Sequence, residues 1–234
     1  MQHKTLKIQK NHFEHLAWNE KLFVCGLDEV GRGCLAGPVV VAAVILPHNT
    51  TYRLLKDSKI LEPEDRVTAY NWITKNCYWS VGYASHQTID AINIYQATLF
   101  AMRKAYLQLT ETLPFPIQQL KYIVIDAMPL NLDTTFGHEG LTFHHFTQGE
   151  RFSTSIAAAS IVAKVTRDRL MERISTFFPA FAFEQHKGYA TKQHVSALLA
   201  QGPTIIHRSS FISEIKPREA SETNLQQTLF GVEP

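Results

Sequence analysis

Residues 39–46 read VVVAAVIL, eight apolar residues in a row, most of them β-branched, entered through Gly37-Pro38. Such a run fits a strand covered on both faces rather than one with a wet side. A strand of that kind needs packed layers above and below its sheet. The wider apolar stretch from Leu35 is interrupted by Gly37 and Pro38 and falls short of the ~20 residues that span a bilayer. The N-terminal stretch MQHKTLKIQKNHFEH has neither an apolar centre nor a small-residue cleavage site, so it is not a secretory signal. A cytoplasmic protein with no membrane partner is expected.

Other runs complete the pattern. Residues 22–27 and 77–83 read as strands, residues 121–126 as a buried strand and residues 141–146 as another. Helical spacing marks residues 62–74, with Pro63 near the start, then 89–109, 153–174 and 191–199. Strands come first and then alternate with helices, which gives an α/β architecture with a mixed sheet. At 234 residues, 45% hydrophobic and 19% charged, the chain suits one soluble domain. Residues 1–20 form a polar lead-in, and residues 215–234 a polar, flexible tail. Three cysteines, Cys25, Cys34 and Cys77, make neither a disulfide framework nor a structural zinc site. A net charge of +2 permits a polyanionic partner without requiring one.

The chemistry resides in the acids. Asp28-Glu29 follows the first apolar strand, Asp126 ends the strand at 121–126, and Glu150 follows the strand at 141–146. Adjacent carboxylates beside a core are costly unless a cation neutralises them. Each acid alone could simply cap a loop or helix, but two buried strands delivering acids, with a third close by, favour a shared site. Oxygen donors without a His/Cys set suit Mg²⁺ or Mn²⁺, and two such ions are a standard arrangement for phosphodiester hydrolysis. Successive strand residues face opposite ways, so Asp28 and Glu29 need either irregular backbone at Glu29 or its longer side chain to share a site. The Gly31-Arg32-Gly33 turn allows close approach to a phosphate, with guanidinium support.

The run GLDEVGRGCLAGP at 26–38 resembles the opening motif of the ribonuclease HII family. The similarity continues through Asp57-Ser58-Lys59, Ile125-Asp126, AAASIVAKVTRD at 157–168, HKGYAT at 186–191, and Gly202-Pro203 to HRSSF at 207–211, in the family's order. It implies a ribonuclease H-like fold, a mixed five-stranded sheet flanked by helices, with a C-terminal helical extension inside a catalytic domain spanning 21–214. It also implies an endonuclease, expected as a monomer, that cuts RNA in RNA–DNA hybrids and cuts 5′ to ribonucleotides embedded in duplex DNA, leaving 3′-hydroxyl and 5′-phosphate ends. By this resemblance Asp28, Glu29, Asp126 and Glu150 are the catalytic and metal positions, holding two Mn²⁺ or Mg²⁺ ions. Gly31, Arg32 and Gly33 grip the ribonucleotide and its 2′-hydroxyl, which alone separates RNA from DNA locally. Ser58 and Lys59 contact phosphate, and Tyr189 stacks near the sugar that follows the ribonucleotide.

The sequence departs from the family at its fourth acid, where Glu150 replaces an aspartate. Its extra methylene lets the carboxylate reach the metal only if the backbone sits farther back or the side chain folds, and Asp168, structural by the family resemblance, is the substitute candidate. A competing reading is a hybrid-binding protein of the same fold whose catalysis Glu150 impairs. In the tail, Gln226, Leu229 and Phe230 have the Gln-x-x-Leu-Phe form of peptides that dock on bacterial sliding clamps.

Overall fold

The computed structural model describes residues 10–126, 139–213 and 215. The tail motif Gln226, Leu229 and Phe230 lies outside them. Five strands, β1 (Phe23–Val30), β2 (Val39–Ile45), β3 (Tyr78–Ala84), β4 (Leu120–Asp126) and β5 (Thr142–Phe146), form one sheet in the order β3-β2-β1-β4-β5. β1 pairs antiparallel with β2, and β2 with β3, while β1, β4 and β5 run parallel. The mixed five-stranded α/β sheet expected from the sequence is therefore present.

The apolar run becomes β2, and every residue of it is buried. Its odd positions, Val39, Val41, Ala43 and Ile45, join one core with α3 (His86–Glu111), and its even positions Ala42 and Val44 join another with α2 (Pro63–Asn76) and α4 (Thr154–Ser175). Two-residue alternation with both faces apolar is thus what places helices on both sides of the sheet. Gly26 lets α4 sit directly on β1: a Cβ there would collide with the backbone of Ser155. Residues 89–109, read as one helix, carry a break at Asn93 (φ 64°, ψ 165°), whose Oδ1 accepts from Gln96 N–H and caps the second half. After α4, the short helices α5 (Phe183–His186), α6 (Lys192–Gln201) and α7 (Ser209–Ile212) gather around Ala36, Met171, Phe181, Phe183 and Leu198. No helix among the described residues is long and apolar enough to cross a membrane.

The lead-in contains more structure than its polar composition suggests. Residues 12–19 form α1 (His12–Asn19), which buries Phe13, Ala17 and Trp18. Glu14, fully buried, accepts from Ser153 Oγ and from Ser155 N–H at 3.1 Å, and Asn11 Oδ1 accepts from Thr154 N–H at 3.0 Å. These acceptors satisfy amide donors that the first turn of α4 leaves unpaired, and the Glu14 carboxylate meets the positive end of the helix dipole. Glu14→Ala is expected to destabilise the protein by about 1–3 kcal/mol, read as a lower urea midpoint with an unchanged slope.

Candidate active site

β1 and β4 part company at their C-terminal ends. Their parallel pairing stops at Leu27↔Ile125, whereas β1 stays paired to β2 through Val30↔Val40. The β4-side flank of β1 is therefore open at Asp28 and Glu29. Asp28, Glu29, Asp126 and Glu150 all line a cavity of about 370 Å³ there, with Asp57, Ser58, Lys59, Ser160, Lys164 and Tyr189 around them. The pairing runs without a shift through Asp28 and Glu29, and the sole register shift between β1 and β4 is at Phe23/Val24. Irregular backbone at Glu29 was one of two expected solutions, and the structure rejects it. The regular strand and the longer glutamate side chain bring the two neighbours to one cavity.

The acids are held at a cost. Burial pushes the Asp28 carboxyl well above its usual range, and Glu29, Asp126 and Glu150 add to the shift. Burial also raises Glu29, against the opposing pull of Arg32. Burial raises Glu150, with Asp126 beside it adding to the effect. Asp28 Oδ1 accepts from Glu29 N–H at 2.7 Å, and Asp126 Oδ1 from Gly149 N–H at 2.8 Å. Glu150 sits in a 3-10 turn, Gly149–Arg151, entered through Gln148 in left-handed backbone (φ 60°). That turn carries the longer acid into the cavity. Asp168, the substitute candidate, does not line the cavity and pairs with Lys164 at 2.9 Å.

The other expected contacts divide. Ser58, Lys59 and Tyr189 line the cavity, and Ser58 N–H donates to Ser160 Oγ at 3.3 Å. Gly31, Arg32 and Gly33 follow on Val30 and do not line it. Arg32 Nη1 lies 3.4 Å from Glu29 Oε1, so its guanidinium pairs with an acid of the site. Gly31 has φ +92°, and a Cβ there would strike Arg167. A larger apolar cavity of about 640 Å³, lined in part by Tyr70, Val81, Leu170 and Ile174, carries no carboxylate and none of this chemistry.

A sequence model of ribonuclease HII matches residues 25–214. The chain belongs to the ribonuclease HII family. It is 41% identical to ribonuclease HII of Bacillus subtilis over 213 residues, covering 89% of this chain and 78% of that protein. With ribonuclease HII of Alkaliphilus metalliredigens the identity is 44% over 204 residues, covering 86% and 96%. Among solved structures, the PCNA:RNase HII complex of Archaeoglobus fulgidus matches with a TM-score of 0.66 at 25% identity, covering 84% of this chain and 98% of that one. Ribonuclease H2 of Pyrococcus horikoshii shares the fold with a TM-score of 0.65 at 22% identity, covering 83% and 97%. Membership makes the chain an enzyme, a ribonuclease H endonuclease that hydrolyses phosphodiesters, in a family that depends on divalent metal.

The cavity fits such a metal by its donors. They are carboxylate oxygens, which suit hard divalent cations, and Glu29 Oε2 is buried without a hydrogen-bond partner among the described residues. Among the described residues, no three His, Cys, Asp or Glu side chains stand in ready-made ligand geometry. The four acids form an open set, with Asp28 and Asp126 each held by one backbone amide.

Sequence reasoning missed what shapes the turn. Arg167 and Arg208, both fully buried, spend their guanidinium donors on backbone carbonyls. Arg167 reaches Pro38, Lys187 and Ala36, and Arg208 reaches Gly31, Arg32 and Gly37, all within 3.2 Å. Backbone carbonyls, not acids, take up the Arg167 guanidinium. Only the absence of a nearby acid for Arg208 in the HRSSF run could have hinted at this.

Two outcomes follow for this site. Arg208→Lys cannot reproduce the forked contacts and should lower the melting temperature while weakening substrate binding, measured by thermal scans and binding titration. The raised carboxyls bind protons more tightly folded than unfolded, so their stability contribution is lost as pH rises through their folded values. A cation that binds only the folded acids restores it. The melting-temperature increase caused by Mn²⁺ should therefore grow between about pH 5 and about pH 8, and Asp126→Asn should flatten it.

Proposed function

We propose that the chain cleaves the RNA strand of RNA–DNA hybrids and cuts 5′ to ribonucleotides embedded in duplex DNA, leaving 3′-hydroxyl and 5′-phosphate ends. The observation that carries this reading is the meeting of Asp28, Glu29, Asp126 and Glu150 in one cavity that Tyr189 also lines. Asp28, Glu29, Asp126 and Glu150 would hold two divalent ions. Bound there, Mg²⁺ or Mn²⁺ would supply Lewis-acid activation of the attacking water and of the leaving oxygen. A ribonuclease HIII shares this fold with a TM-score of 0.59 at 21% identity, and its structure was solved with Mn²⁺.

The remaining groups bind and orient. Lys59 and Lys164, on the cavity wall, offer positive charge to the phosphates on either side of the scissile bond. The Gly31-Arg32-Gly33 turn presents backbone rather than side chains to the ribose and its 2′-hydroxyl. Tyr189, 37% exposed, offers a ring face to the next sugar. The enzyme would act in the cytoplasm, as a monomer, on duplexes carrying misplaced ribonucleotides. The Gln226, Leu229 and Phe230 motif would dock on a sliding clamp, a partner of the kind with which the Archaeoglobus relative was solved. Loss of clamp capture after removal of the last ten residues supports that docking, and undiminished capture contradicts it.

The deciding experiment is incubation of a DNA duplex containing one ribonucleotide with Mg²⁺ and then with Mn²⁺. Cleavage 5′ to the ribonucleotide, none on a ribonucleotide-free control, and at least a hundredfold loss in Asp126→Asn, on the order expected for removing an electrostatic contributor, support the reading. A duplex that is shifted on a gel yet remains intact in both metals would instead favour the hybrid-binding alternative, with Glu150 as the cause.

A further inference from the structure

Segment 34–37, just beyond the glycine turn, is held between two parts of the C-terminal region. Cys34 bridges to Tyr189 and Ala36 to His207, both antiparallel. Leu35 N–H donates to Gly188 O at 2.8 Å, Gly37 N–H to Ile206 O at 3.0 Å and Arg208 N–H to Leu35 O at 2.8 Å. The two flanking parts, around Tyr189 and around His207, are themselves joined by a pair of imidazoles.

The direction of every proton in that pair follows from one backbone amide. Thr204 N–H can only donate, and it donates to His207 Nδ1 at 2.9 Å. His207 in its neutral form therefore carries its proton on Nε2. That Nε2 lies 3.0 Å from His194 Nε2, which must then accept, leaving the His194 proton on Nδ1. Nδ1 lies 2.9 Å from the Tyr189 carbonyl and donates to it. His194 is fully buried and His207 is 4% exposed. Burial lowers the basicity of both, with His186 adding to it at His194 and His194 and His86 at His207, which falls to about 4. His186 stacks on His194 with centroids 4.5 Å apart, accepts from Gly188 N–H through Nδ1 and donates to Phe181 O through Nε2. Two imidazoles thus form a one-way chain from Thr204 to Tyr189.

We propose that His194 and His207 are positioning residues. Their proton-ordered chain fixes Tyr189, and with it the bridge to Cys34, so the pair sets how tightly the site holds a junction between a ribonucleotide and DNA. This rests on the reading of Tyr189 given above. Neither histidine lines the carboxylate cavity, so the chain acts on placement rather than on the bond-breaking step.

The test compares the wild type with His194→Phe and His194→Asn on a DNA duplex carrying one ribonucleotide. Phenylalanine keeps the ring but has no donor, so KM should rise about tenfold, the scale of one lost buried hydrogen bond, while kcat stays within about twofold. Asparagine can still donate to the Tyr189 carbonyl and should recover most of the loss. Nitrogen-15 NMR of the wild type should show His207 protonated on Nε2 and His194 on Nδ1. An unchanged KM in a folded His194→Phe protein overturns the inference, as does an equal fall of kcat in both variants. If His194→Phe fails to fold, the asparagine variant and the tautomers decide. Opposite tautomers in an active enzyme refute this inference alone, whereas an inert wild type with the expected tautomers refutes the reading of the site.

Discussion

Burial makes the carboxylates of one cavity costly to charge, and their mutual repulsion adds to the penalty. At Asp28 that combination drives the carboxyl well above its ordinary range. The protein tolerates this because of the sheet beneath. Pairing between β1 and β4 ends one residue before the acids, while pairing between β1 and β2 continues past them. Asp28, Glu29 and Asp126 are therefore carried on strand backbone yet face an open gap, and Glu150 joins them from its 3-10 turn. A hard cation in that gap would relieve the repulsion, and Glu29 Oε2, buried without a hydrogen-bond partner among the described residues, is an oxygen it would neutralise.

Rigid surroundings keep the gap in place. α4 lies close over β1 because Gly26 leaves it room, and its N-terminus is tied down by Glu14 of α1 and by Asn11 just before that helix. On the other side of the cavity, Arg208 binds the glycine turn through the carbonyls of Gly31 and Arg32, and Arg167 binds those of Ala36 and Pro38 just beyond it, rather than acids. Two buried guanidiniums with carbonyl partners are costly, and burial pulls Arg208 down to about 10. Their forked donors fasten several backbone groups at once, which a single hydrogen bond could not do. The imidazole chain from Thr204 to Tyr189 extends the same arrangement to the far wall.

Much of this was legible before any coordinates. The two-faced apolar run implied helices on both sides of the sheet, and strand ends bearing Asp28 and Asp126 implied a shared acidic site. The motif order pointed to the ribonuclease HII family. What stayed hidden depends on contacts distant in sequence. Nothing near Glu14 indicates that it caps a helix starting at Thr154, because the two partners lie 141 residues apart in sequence. The carbonyl partners of Arg208 lie about as far away, and a basic residue in a serine-rich run reads as surface. The break at Asn93 is local, but its flanking periodicity masked it. The regular backbone at Glu29 shows why alternation alone misled: a strand unpaired on one flank lets neighbouring side chains reach the same space.

The central claim is that these four acids form one hard-cation site. Its most direct test is an anomalous-difference map from crystals soaked in Mn²⁺. Density is expected in the cavity, in contact with Asp28 and Asp126 and within reach of Glu29 and Glu150. Density only at other carboxylates, or an empty cavity in crystals that bind Mn²⁺ elsewhere, would contradict it.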